Sequence, residues 1–203
     1  AIGLARREMK RKGQETEITP RTQRDIPMKI IVIGSIVTLL IIFVFFFTGV
    51  MNGNLLFAVA GLVLVALIAF LFTTVAANAI AIVGSNPVSG MTLMTLILAS
   101  IIMVSVGLSG TGGMVAALLM GGVVCTALAM SGCFVTDLKI GYWLGTTPAK
   151  QETFKFLGTL VSAATVGGVM MILNKTYGFS GDALAAPQAH AMAAGIEPMM
   201  NGG

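Results

Sequence analysis

The chain has 203 residues, 56% of them hydrophobic and only 10% charged, against roughly 25% charged in an average soluble domain. From Ile30 to Thr136 there is no Asp, Glu, Lys, Arg or His, and such a run would leave very large apolar patches if it stood in water. A soluble domain is excluded; the composition predicts an all-α integral membrane protein, with room in the run for about four or five spans of about 20 residues.

The net charge of +4 is unevenly placed. Eight of the twelve basic residues (Arg6, Arg7, Lys10, Arg11, Lys12, Arg21, Arg24, Lys29) precede the first apolar run, so the positive-inside rule assigns residues 1–27 to the cytoplasm as a basic linker. Glu8, Glu15, Glu17 and Asp25 are interleaved with these bases, which dilutes the field that nucleic acid would need. No nucleic-acid partner is expected. The opening AIGLARREMKRK reads as the basic flank of an earlier span and the chain stops abruptly at MMNGG. The expectation is a piece of a larger polytopic protein, completed by the remainder of the same chain.

The first apolar run, Ile30 to Val50, is too long for the hydrophobic region of a signal peptide and lies behind a polar arm. A first span is predicted over 28–50, opened by Pro27 and ended by the MNGN turn, with the bulky FVFFF run at 43–47 suited to lipid. A second span is predicted over 55–83. There AIVGSNPVSGMT interrupts the pattern with Gly84, Pro87 and Gly90, and Pro87 removes a backbone donor and disfavours helical geometry at Asn86. A broken or re-entrant element is expected near 84–92.

A third apolar segment follows over 91–107, then LSGTGG as a flexible turn at 108–113, and a fourth over 114–136. Its Gly121, Gly122, Ala127, Ala129, Ser131 and Gly132 permit close helix packing. Cys125 and Cys133 lack metal-site spacing and a polar setting, and read as small packing residues. A fifth span is predicted over 154–173. The domain reading is thus a linker at 1–27, a transmembrane helical bundle of about five segments at 28–175, and a mixed, truncated short-helix segment at 176–203. If four spans separate the arm from the 137–153 loop, that loop is also cytoplasmic, and Lys139, Lys150 and Lys155 agree with that side.

No enzyme signature is present: there is one histidine, His190, no Ser/His/Asp set, no metal-ligand cluster and no phosphate loop. No cofactor or metal is expected. Chemistry must come from polar groups at membrane depth. Around Asn86, a helix break could expose backbone groups to a cation or a peptide-like substrate, or could be a hydrophilic turn joining two spans; both readings fit the residues. Asp137, arriving with Lys139, Tyr142 and Trp143, reads first as a helix end with interfacial aromatics, and as a proton site only if it lies at depth. In ALAAPQAHAM at 183–192, Gln188 and His190 sit on a short helix started near Pro187, read first as an extramembrane helix packed on its neighbours.

Taken together and in order, NPVSGMT at 86–92, DLKIGYWLGTTPAKQ at 137–151 and ALAAPQAHAM at 183–192 resemble the oligopeptide transporter (OPT) family, in particular its prokaryotic branch. RTQRDIPMK at 21–29 is similar to the linker before a span in the C-terminal half of those proteins. The resemblance covers most of the chain from Arg21 onward, and DLKIGY…TPAKQ is its most specific part. It implies secondary active, proton-coupled transport of oligopeptides, related peptide-like compounds or metal chelates across a bacterial or archaeal cytoplasmic membrane. Its motifs fall on Asn86, Pro87, Ser89, Gly90 and Thr92, on Asp137, Lys139, Gly141, Tyr142, Pro148 and Gln151, and on Pro187 and Gln188. Where the family pattern often has a second basic residue, this chain has Ala149. The alternative from another class is a non-catalytic membrane scaffold or anchoring subunit whose glycines serve only helix packing.

Overall fold

The computed structural model describes residues 20–51, 53–86, 88–108, 110–178 and 187–200, with the backbone alone at Gln23, Ser89, Pro187 and Gln188. All regular structure among the described residues is helical: a short 3-10 turn (Arg21–Gln23), α1 (Met28–Phe45) continued by a π-helical turn (Phe46–Val50), α2 (Leu55–Val83), α3 (Val88–Val106), α4 (Gly110–Leu144), α5 (Pro148–Tyr177) and α6 (Pro187–Met200). Four of these, α1 with its π-turn, α2, α4 and α5, are long and apolar enough to cross a membrane, and α3 contributes a shorter apolar helix. The chain is an all-α polytopic membrane protein.

The chain divides into two compact units, one of residues 1–32 and 138–187, the other of 33–137 and 188–203. The second unit holds the hydrophobic core. Gly61 near the start of α2 faces the methyl ends of Met120 on α4 and Met103 on α3, and the ring of Phe46. At the other end of α2, Ile80 faces Gly132 of α4. Consequently α2 and α4 run parallel, with α3 antiparallel between them. The distance from Gly61 to Ile80 along α2 is about 28 Å at ~1.5 Å per residue, close to the thickness of a bilayer's hydrocarbon core.

One face of α3 is buried at helical spacing: Thr92, Thr95, Leu96, Ala99, Ser100 and Met103. Its hydroxyls donate within the helix, Thr92 to the Val88 carbonyl (2.7 Å), Thr95 to Met91 (2.8 Å) and Ser100 to Leu96 (2.8 Å). Small residues with internally satisfied hydroxyls let neighbouring helices approach closely without stranding a polar group in lipid. Across α2 and α4, Ser131 donates to the Thr73 carbonyl at 3.3 Å.

Three expectations are modified. Within the FVFFF run Val44 and Phe45 are exposed, but Phe46 is fully buried. The wider π-turn, closed by Met51 N–H to Phe46 C=O at 2.9 Å, shifts the helical phase at that ring. Next, residues 110–113 are not a turn but the first turn of α4, with Leu108 N–H bonded to Met103 C=O in the preceding connection. Finally α4 does not stop at Thr136; it runs 35 residues to Leu144, about 52 Å, longer than the hydrocarbon core.

Packing at the α3–α4 connection is tight. A Cβ on Gly113 would stand 2.8 Å from the Leu108 carbonyl oxygen and 2.9 Å from Met200 Sδ, and α6 contributes Ile196 and Met200 to the same core. Because the nearest atom is backbone, Gly113→Ala is expected to destabilise the protein by about 1–3 kcal/mol, read as a lower thermal midpoint in detergent. Shortening Met200 should not restore it.

Candidate functional site

The helix break predicted at 84–92 is a connection between Val83 and Val88. Gly84 closes α2 in the left-handed region (φ +77°), its N–H bonded to Ile80 C=O at 2.9 Å, a conformation that glycine adopts without penalty. Asn86 is exposed, and its amide lies against Gly132 of α4. A Cβ at Gly132 would overlap the Asn86 amide nitrogen and stand 2.7 Å from Ile80 Cδ1. An amide both donates and accepts, and the bare backbone at Gly132 is what lets it come so near.

Asp137, half-buried, lies five residues past Gly132 on α4, about 7.5 Å along the axis. Between them Thr136 donates to the Gly132 carbonyl at 3.1 Å. Thr92 is buried with its hydroxyl committed to Val88, so it offers acceptor lone pairs only. Gly90 is exposed with open space around it. Pro87 and the side chains of Ser89, Pro187 and Gln188 lie outside the described residues; the backbone of Pro187 and Gln188 opens α6, and His190 is exposed.

In the first unit the TPAKQ stretch forms the hairpin between α4 and α5. Gly145 turns the chain at φ +70°, and Pro148 occupies the first turn of α5, where its missing N–H costs nothing. Gly141, Thr146 and Gln151 form a knot. Thr146 N–H donates to Gly141 C=O (2.9 Å), and its hydroxyl lies 3.0 Å from the same carbonyl and 3.4 Å from Gln151 Oε1. A Cβ at Gly141 would overlap Gln151 Oε1 and come within 2.6 Å of Thr146 Oγ1.

The Lys139 ammonium lies over the rings of Tyr142 (5.8 Å) and Trp143 (5.5 Å), within cation–π range. Asp137 and Lys139 are two apart on a continuous helix, about 200° around its axis. The arm before α1 docks on this hairpin. Arg21 Nη2 donates to Gly145 C=O (3.2 Å), Ala149 N–H to Arg24 C=O (2.9 Å), and Ile26 N–H to the Glu152 carboxylate (3.2 Å). The chain that leaves by α1 therefore returns to the same side at the end of α4.

The sequence profile of the family described as OPT oligopeptide transporter protein matches residues 4–203. The chain belongs to the OPT oligopeptide transporter family. This OPT chain is also 32% identical, over 130 residues, to a curated Haemophilus influenzae protein provisionally named an oligopeptide transporter; the alignment covers 55% of this chain and 20% of that relative. The chain thus spans about a fifth of the relative's length. No solved structure matches it.

Two partners in these OPT clusters were not singled out from sequence. In sequence Gly132 is one of several small residues suited to packing, and nothing local marks it as the rest of Asn86. Thr146 had only its place in the quoted TTPAKQ stretch. Among the described residues no group of three His, Cys, Asp or Glu could hold a metal ion.

Proposed function

We propose that this OPT chain forms part of a secondary active transporter that couples the uptake of oligopeptides, related peptide-like compounds or their metal chelates to proton entry across a bacterial or archaeal cytoplasmic membrane. Residues 1–27 and the 137–153 hairpin face the cytoplasm in this reading, and the remainder of the transporter chain completes the pathway. The observation that carries it is the interrupted helix pair, where Asn86 stands exposed against Gly132. Backbone and amide groups freed at such a break match the donor and acceptor pattern of a peptide bond. Asp137, further along the same helix, is the proton-carrying group in this reading, since acids near membrane depth commonly serve proton relays.

The test is uptake of a labelled dipeptide by the intact transporter in proteoliposomes under an imposed proton gradient. Asn86→Ala is expected to slow uptake roughly tenfold, the equivalent of one amide hydrogen bond network at ~1.4 kcal/mol. Asp137→Asn is expected to abolish gradient-driven accumulation while leaving dipeptide exchange across the membrane. Wild-type accumulation in both variants would sink the site assignment and favour a packing scaffold.

A further inference from the structure

We propose that the cavity where the arm meets the start of α5 binds the phosphate headgroup of an anionic phospholipid. The cavity has a volume of about 510 Å³, within the range of small-molecule sites. Its two charged wall residues, Arg21 and Lys150, are both cationic, and Thr146, Thr147 and Gln151 add hydroxyl and amide groups. Guanidinium supplies five N–H donors in a fork suited to phosphate, and the bond from Arg21 to Gly145 occupies one of its two terminal nitrogens.

The neighbouring acid is held elsewhere: Glu152 is not on the cavity wall, and its carboxylate accepts the Ile26 N–H. Nor does the site rest on the bare end of α5. Pro148 has no N–H, and the Ala149 N–H is bonded to the Arg24 carbonyl, so the donors for an anion are side chains. What separates a lipid from free phosphate is the apolar flank. Phe154 forms part of the wall and is 70% exposed, and Tyr142 and Trp143 in the last turn of α4 are 66% and 73% exposed. Exposed aromatics beside a basic pocket are the arrangement expected at headgroup depth, where acyl chains need an apolar surface and the phosphate a cationic one.

The experiment uses the full-length transporter in nanodiscs of phosphatidylcholine containing a minority of phosphatidylglycerol, with retained lipid counted by native mass spectrometry. Wild type is expected to retain phosphatidylglycerol selectively, and the double variant Arg21→Gln, Lys150→Gln to lose that selectivity by about tenfold or more. Lys29→Gln removes one charge near the start of α1, outside the cavity, and should keep it. The charge-conserving Lys150→Arg, which leaves the Arg21 fork in place, should keep it as well. Equal retention in the glutamine double variant and wild type overturns the proposal. So does loss in Lys150→Arg, which would trace the effect to local packing and not to charge, or displacement of the lipid by millimolar inorganic phosphate, which would mark a free-phosphate site.

Discussion

Replacing Gly132 with Val is expected to cut the proposed dipeptide uptake by the intact protein at least tenfold. Even a lone Cβ at this position overlaps the Asn86 amide and stands 2.7 Å from Ile80 Cδ1. Both contacts are the ends of side chains that can swing aside, so Ala is absorbed by moving Asn86 off α4. The two γ-methyls of Val have no such escape, and overpacking of this kind costs about 1–3 kcal/mol. Because Asn86 is what moves, the two positions should be coupled. Gly132→Ala is expected to be costly alone and nearly silent in an Asn86→Ala background, a non-additivity of about 1 kcal/mol in a double-mutant cycle. Uptake normalised to protein in the membrane, with thermal midpoints in detergent, reads both quantities. Additive effects would show that Asn86 does not rest on Gly132.

The second large effect is expected at Gly141. Gly141→Val places a branched side chain where Gln151 Oε1 and Thr146 Oγ1 already sit, and moving them breaks the knot that closes the hairpin between α4 and α5. Lost hydrogen bonds at about 1 kcal/mol each, with the overpacking, make roughly 3 kcal/mol. The expected result is a thermal midpoint lowered by many degrees and little folded protein in the membrane. Gly141→Ala should be milder, and truncating Gln151 in that background should recover part of the loss by opening the space the methyl needs. A wild-type midpoint for Gly141→Val would remove the knot from the account of this motif.

The spans were legible because hydrophobic run length is a local property: α2 falls on its predicted bounds, 55–83, and the break after it follows from Gly84 and Pro87 alone. Boundaries failed where local turn chemistry was outweighed by packing. LSGTGG reads as a loop, yet residues from Gly110 onward are helical, with Gly113 pressed against the Leu108 carbonyl and Met200. DLKIGYW reads as an exit from the membrane because charge returns there, but charge limits depth and does not end a helix, so α4 continues to Leu144. Pairings between distant residues left no mark in one dimension. Gly132 beneath Asn86, and Arg21 on the far side of four helices from Gly145 in the chain, are set by contacts that only the folded backbone creates.

The docking of the arm on the α4–α5 hairpin ties it to a segment more than a hundred residues earlier by three hydrogen bonds, two between residues 24–26 and the start of α5 (Ala149 and Glu152) and one from Arg21 to Gly145 in the turn before it. A one-turn slide of α5 along its axis, about 5.4 Å, would break the two bonds at Ala149 and Glu152, because neither has that much slack in donor–acceptor distance. Helix and arm must therefore shift as one piece, or the strap must let go first. Any rearrangement of α5 would then be felt at the root of α1: a label placed beside Arg24 would report on the motion of a helix it never enters.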